Sequence, residues 1–248
     1  MNKNKLISAI FGILIIALIT FFFINRYNNR LLSSSPDKSL TLDLDINDDG
    51  QISYSLYKNN TLIIEPSKLG LMIEKDSIFF DLTKNFKIKA INKSSKNESW
   101  EQVWGEQKIV IDNHNEIALT LTSQTNQLEM NVYFRLFDDG LGFRYEIPHQ
   151  NNLSQYNLMN EITEFNFSED ANSWWIPAYA YRRYEFLYAN TKISEISREN
   201  FSKLVEWLNP DDFIGPEAVQ TPFTMQRSDG ITIAIHEANL TNYSSMTL

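Results

Sequence analysis

Residues 40–57 read LTLDLDINDDGQISYSLY, and the fold class turns on whether this is a strand pair or a calcium loop. Leu40, Leu42, Leu44 and Ile46 alternate with Thr41, Asp43 and Asp45, the period of a half-buried strand. Asn47-Asp48-Asp49-Gly50 is turn chemistry. Ile52, Tyr54 and Leu56 then alternate with serines and return the chain. The rival reading starts from Asp45, Asn47, Asp49 and Gly50, which match the opening of an EF-hand loop. That loop needs a bidentate acidic residue at its twelfth position, and here the twelfth residue is Leu56. Strand periodicity on both sides also contradicts flanking helices. The stretch reads as a β-hairpin.

The same texture continues C-terminally. TLIIE, LGLMIE, SIFFDL, FKIKAI, QKIVID, EIALTLTS, QLEMNVYFRLF and GLGFRYEI all read as strands, with Asp138-Asp139-Gly140 as the turn between the last two. Strands this frequent, punctuated by turn residues, predict a mainly β chain built as a large antiparallel sandwich. One segment departs from the pattern. In SRENFSKLVEWLNPDD, Phe201, Leu204, Val205 and Leu208 form a helical stripe. Ser197 is placed to cap it and Pro210 to end it. FTMQR, Ser228-Asp229-Gly230 and ITIAIHEA give a final hairpin. The chain stops at SSMTL with no linker or tail, the pattern expected of a fragment.

The start of the chain differs. Residues 1–5 are basic through Lys3 and Lys5, and Leu6–Ile24 follow without a charge. A run of this length fits a bilayer span, which needs roughly 20 residues. A cleaved secretory signal is the alternative, although Phe-Phe-Phe-Ile-Asn-Arg makes a poor cleavage site. Either way the remainder is expected outside the cytoplasm, periplasmic or at the cell surface, with the lysines retained inside. Residues 25–38 (NRYNNRLLSSSPDK) are Ser-rich and broken by Pro36, so they read as a tether. The sandwich is expected over 39–248.

Composition narrows the chemistry. The chain has 248 residues, a net charge of −9 and no cysteine. Disulfides, thiolate metal sites and a lipoprotein anchor are therefore excluded. The acidic balance argues against nucleic acid as a partner, because phosphate recognition needs clustered Lys and Arg. His114, His149 and His236 have no metal-ligand spacing. Glu237 follows His236, but adjacent side chains on a strand face opposite ways. Nucleophile-elbow, phosphate-loop and dinucleotide motifs are all missing.

Residues 174–188, WWIPAYAYRRYEFLY, hold the most concentrated functional signal. Glu185 stands among rings, and a carboxylate there is costly unless paired or bound to a cation. Arg182 or Arg183 could pair it, making the stretch core plus an ion pair. Partly exposed Trp and Tyr faces also suit the C–H faces of sugars. The residues by themselves leave both readings open. Trp100 and Trp104 read as inter-sheet core or domain-interface residues.

Several blocks together resemble the N-terminal domain of glycoside hydrolase family 97, the bacterial α-glucosidases and α-galactosidases. They are LYKNNTLIIEPSKLGLMI, SWEQVWGEQKIVIDNHNEI, VYFRLFDDGLGFRYEIP, EITEFNF, WWIPAYAYRRYEFLY, QTPFTM and IHEANLTNYSSMTL. The resemblance spans about residues 38–248. It implies a β-super-sandwich related to the galactose mutarotase fold, packed against a C-terminal (β/α)8 barrel that carries the catalytic carboxylates. No catalytic residue is therefore assigned to this chain. The resemblance further implies that Glu185 gives one ligand to a calcium ion completed by barrel residues. It places Glu217, Ala218, Val219 and Gln220 at the substrate, an α-linked oligosaccharide. Two rivals remain: a stand-alone carbohydrate-binding β-sandwich, and a mutarotase-like epimerase, for which no His–carboxylate pair is visible.

Overall fold

Residues 40–58 form the hairpin that their alternation requires. In the computed structural model, which describes residues 30–151, 153–179, 186–204, 210–241 and 243–248, Leu31–Ser34 (β1), Leu40–Ile46 (β2), Ile52–Lys58 (β3) and Thr61–Lys68 (β4) make one antiparallel sheet in that order. The Asn47 side chain accepts from the amides of Asp49 and Gln51, and the Gly50 amide donates to the Asn47 carbonyl. Gly50 has φ +69°, and a Cβ there would lie 2.4 Å from the Phe86 amide nitrogen. Only glycine fits this turn without strain. The hairpin expected in place of an EF-hand loop is present as a paired register, Asp45 opposite Ser53 and Ile46 opposite Ile52.

Strand β1 lies inside the segment read as a tether. LLSS lacks the alternation that marks a buried strand, and its backbone pairs along β2 from Leu31 opposite Leu44 to Ser34 opposite Thr41. Arg30 reaches Asp43 at 2.9 Å, and Asn115 donates to the Ser34 carbonyl. From residue 30 onward the tether is therefore corrected to an edge strand and its turn. The basic start, the apolar run 6–24 and the first part of the tether lie outside the described residues. Among the described residues no helix is long and apolar enough to cross a membrane.

The described residues fall into two compact units, one ending at residue 166 and the other beginning at residue 167. In the first, Leu71–Lys75 (β5) and Ile78–Leu82 (β6) begin a second sheet. Phe86–Glu101 (β7), Ile109–Ser123 (β8), Glu129–Leu136 (β9) and Leu141–Glu146 (β10) form a third meander, and Asn157–Glu161 (β11) returns to pair with β5. Along β9, Met130, Val132, Phe134 and Leu136 are fully buried while Asn131, Tyr133 and Arg135 turn outward. Leu42, Leu44, Ile52 and Tyr54 supply the opposing face, and the Tyr54 and Phe134 rings meet at 6.4 Å. Each such buried side chain contributes about 1.5–3 kcal/mol. This is a sandwich core of two antiparallel sheets.

In the second unit Asn172–Trp175 (β12), Ala189–Lys192 (β13), Phe223–Gln226 (β14) and Thr232–Ile235 (β15) pair in the order β13-β12-β14-β15. A short helix, Arg198–Leu204 (α1), starts where the stripe predicted, and the Ser197 hydroxyl caps it by accepting the Asn200 amide at 3.2 Å. Residues 205–209, which carry the rest of the stripe, are outside the described residues. Pro210 opens a 3-10 turn, Pro210–Asp212.

Two expectations change. The segments read as FKIKAI, QKIVID and EIALTLTS are parts of two long strands, β7 and β8, paired without interruption from Ala90 to Glu101. The polar stretch NKSSKNES hid this because little covers it, so it carries no alternation. Trp100 and Trp104 are not core: they are 51% and 90% exposed on this ribbon.

Candidate functional site

The second unit holds the residues that the sequence singled out, and its core explains how they are positioned. Trp175 is buried on β12, with its indole N–H donating to the Thr191 hydroxyl at 3.0 Å. Its ring packs on Phe201 of α1, and Phe201 meets Phe186 and Phe213 edge-on at 5.7 and 6.3 Å. Tyr179 joins the same cluster and donates its hydroxyl to Asp212. Strand alternation turns Trp174 to the other face, where it is partly exposed, and Tyr188 is half exposed. The aromatic stretch is thus divided. Trp175, Ile176, Tyr179 and Phe186 are core, while Trp174 and Tyr188 present ring surface to solvent. Residues 180–185 lie outside the described residues, and with them Glu185 and its two candidate arginine partners.

The segment before Thr221 is held from both sides by backbone hydrogen bonds. The Ala178 amide donates to the Ala218 carbonyl at 2.9 Å, and the Gln220 amide to the Ile176 carbonyl at 3.1 Å. On the opposite side Val219 and Leu248 exchange two bonds, 2.8 and 3.0 Å. Upstream, the Arg198 amide donates to the Pro216 carbonyl and the Ile214 amide to the Ala178 carbonyl. Glu217 is exposed, Ala218 is partly covered, and Val219 and Gln220 are buried. Of the four predicted contact residues, Glu217 therefore has the freest side chain, and the other three form a fixed ledge behind it.

Sequence reasoning missed the group that locks this ledge. Glu237 accepts the Thr221 hydroxyl on one carboxylate oxygen and the Met246 amide on the other. Partial burial pushes its pKa up, but these bonds outweigh it and hold the carboxyl below the usual range. Met246 precedes the Thr247–Leu248 segment that pairs with residues 219–220. The carboxylate thus ties three chain segments together. His236 turns its Nδ1 to the Glu237 carbonyl instead, so the adjacent His and Glu do not act on one point. The only sequence signal was the His-Glu pair itself, and strand geometry argued against reading it as a site.

Asp170 plays a parallel part on the other side of β12, accepting both the amide and the hydroxyl of Ser194. The Ser194 amide is the main cause that holds its carboxyl below the ordinary value. His114, in the first unit, is buried beside Asp112 and the Phe137 ring. Lys96 is the main cause that keeps Asp112 ionised below its usual range. This is a packed ion-pair network on the ribbon. Among the described residues no three His, Asp or Glu side chains are grouped as metal ligands.

Comparison with known proteins gives this geometry its context. The sequence profile of the glycosyl-hydrolase 97 N-terminal domain matches residues 33–248. A family 97 glycoside hydrolase from Pseudoalteromonas sp. strain K8, solved with panose and with acarbose, superposes with a TM-score of 0.74 at 32% identity. That match covers 88% of this chain and 30% of the solved chain. A retaining alpha-galactosidase of Bacteroides thetaiotaomicron is 19% identical over 226 residues, 87% of this chain and 30% of the relative. A beta-arabinopyranosidase shares the fold, with a TM-score of 0.62 at 21% identity over 79% of this chain. The chain spans about 30% of the length of these relatives. With a mainly β, antiparallel architecture and a profile match across nearly all of its described residues, the chain belongs to glycoside hydrolase family 97, in the region of that family's N-terminal domain.

Proposed function

We propose that this chain is the N-terminal, carbohydrate-contacting domain of an exo-acting α-glycosidase of the α-glucosidase or α-galactosidase class. It shapes the rim of an active site whose catalytic carboxylates lie on a (β/α)8 barrel of the same polypeptide. The observation that carries this reading is the family match over residues 33–248, joined to 32% identity with an enzyme solved with panose and acarbose. Glycoside hydrolysis generally needs two carboxyl groups roughly 5–10 Å apart across the scissile bond. The well-placed carboxylates of the second unit, Asp170 and Glu237, are both consumed by hydrogen bonds that hold the fold. They are anchors rather than an acid–base pair.

Within this reading Glu217 reaches the sugar from the ledge formed by Ala218, Val219 and Gln220. Trp174 and Tyr188 offer ring faces of the kind that stack on pyranose C–H surfaces. Glu185 supplies one oxygen to a calcium ion. Such an ion takes six to eight oxygens, so most of its ligands come from outside this domain. The domain is extracytoplasmic, secreted or anchored through residues 6–24.

The test is hydrolysis of p-nitrophenyl α-glucoside and α-galactoside by the polypeptide expressed from the whole gene, together with Glu217→Ala. Turnover of one substrate, with KM raised about tenfold in the variant, supports the reading. Oligosaccharide binding without any turnover would replace it with a stand-alone carbohydrate-binding sandwich. Calcium is tested separately by calorimetry on the 248-residue chain. A micromolar site that depends on Glu185 would contradict the single-ligand role.

A further inference from the structure

The β7–β8 ribbon outruns the sheet that carries it. β9 covers β8 only from Asn115 onward, so among the described residues no third strand pairs with the ribbon from Lys96 opposite His114 to Glu101 opposite Ile109. That free length is about 20 Å at roughly 3.4 Å per residue. The turn beyond it is closed by the Gln102 amide donating to the Lys108 carbonyl at 2.9 Å, with Gly105 at φ 145°. At its base the arm is stiffened by Lys96, Asp112 and His114.

Apolar side chains stand on both faces of its end. Trp100 shares one face with Val110, and Ile109 and Ile111 occupy the other, as their register dictates. Val103 and Trp104 lie in the turn and are fully or nearly fully exposed. Two Trp rings carry roughly 150–250 Å² each. With the exposed Val103, Ile109 and Ile111 the tip falls in the range of the largest apolar patches found on monomers, roughly 300–600 Å². An isolated two-stranded ribbon is marginal in water. Aromatic residues at the centre with charge at the edge is interface anatomy. Glu98, Glu101, Glu106 and Lys108 supply that edge.

We propose that this arm is a docking key that inserts into an apolar groove on a further domain of the same polypeptide. Three observations choose this occupant. Apolar residues on both faces of a narrow ribbon call for a concave partner that encloses the tip. A second copy meeting tip to tip offers only another convex end. An anionic lipid surface is opposed by Glu98, Glu101 and Glu106 beside the tip and by the net charge of −9. The relatives carry more than two thirds of their length outside the matched region, so further chain of that family is available to form the groove. The inference rests on the proposed multidomain glycosidase and names the surface by which this domain joins it.

The 248 residues contain no cysteine, so in this chain maleimide reports the introduced thiol alone; in the longer polypeptide the label is read on the peptide that carries residue 103 or 125. Val103→Cys marks the tip, and Thr125→Cys, in an exposed turn of the first unit, is the control. Each is made in the 248-residue chain and in the polypeptide expressed from the whole gene, and the maleimide labelling rate is measured. Expected is labelling of Val103→Cys at least tenfold slower in the longer polypeptide, independent of protein concentration, with Thr125→Cys unchanged. Trp104→Ser, combined with Val103→Cys, should restore fast labelling. Equal rates in both polypeptides would overturn the proposal. So would protection that grows with protein concentration, which means a second copy, or that needs phosphatidylglycerol vesicles. α-Glycosidase turnover by the same samples reports on the multidomain reading separately. Active enzyme with an unprotected tip sinks the docking key alone.

Discussion

Phe201→Ala should collapse the support beneath residues 213–220, and its size can be worked from the packing. Phe201 is fully buried on α1, with the rings of Trp175, Phe186 and Phe213 at 5.5, 5.7 and 6.3 Å. Truncating a buried Phe to Ala costs about 3–5 kcal/mol, from lost transfer energy plus the cavity left behind. The upper half of that range applies here. Three rings lose a partner at once, and rigid aromatic walls relax poorly into a void. Urea unfolding followed by near-ultraviolet circular dichroism gives the readout. With a denaturant slope of about 2 kcal/mol per molar, a 4 kcal/mol loss moves the midpoint of the second unit down by about 2 M. Phe201→Leu, which keeps most of the volume, should fall by about half as much. Lys203→Ala, on the exposed side of α1, should stay within about 0.5 kcal/mol. A Phe201→Ala midpoint within about 0.3 M of the parent chain would refute the claim that this cluster holds the unit together.

Two further substitutions test the anchors. Glu237→Gln keeps one acceptor but cannot accept the Met246 amide with its NH2 group, and should cost about 1–2 kcal/mol at pH 7. The folded pKa of Glu237 lies below its ordinary value of 4.5. Its stabilisation is therefore full above that value and is lost as pH falls through the lowered folded value. The gap between parent and variant should close in that acid window, and a gap that widens there would contradict the carboxylate clamp. Gly50→Ala should destabilise the first unit by about 3 kcal/mol. The left-handed backbone and the approach to the Phe86 backbone both resist a Cβ. Thermal unfolding within a degree of the parent would show that the turn can rearrange.

Much of the β framework was legible because its signal is periodic. Strands β2, β3 and β9 bury an apolar face, so every second residue had to be apolar, and the alternation is plain in LTLDLDI and EMNVYFRL. Strands that bury little left no such trace. LLSS, NLMNE and ANTK are held by backbone pairing, and pairing is indifferent to side-chain type. The continuous length of β7 was invisible for the same reason. The site was only partly legible. WWIPAYAYRRYEFLY declared itself by composition, but which rings face the core depends on strand β12 and on a helix some 25 residues later. Glu237 could not be recognised as a clamp from sequence. Its partners, Thr221 and Met246, are brought to it by β14, β15 and the final residues of the chain.

The central claim is that this chain completes a glycosidase active site without containing its catalytic carboxylates. Steady-state hydrolysis of p-nitrophenyl α-glucoside and α-galactoside by the purified 248-residue chain, with calcium present, tests it most directly. No turnover above the uncatalysed rate is predicted, while the polypeptide from the whole gene hydrolyses one of the two. Saturable turnover by the 248-residue chain alone would contradict the account.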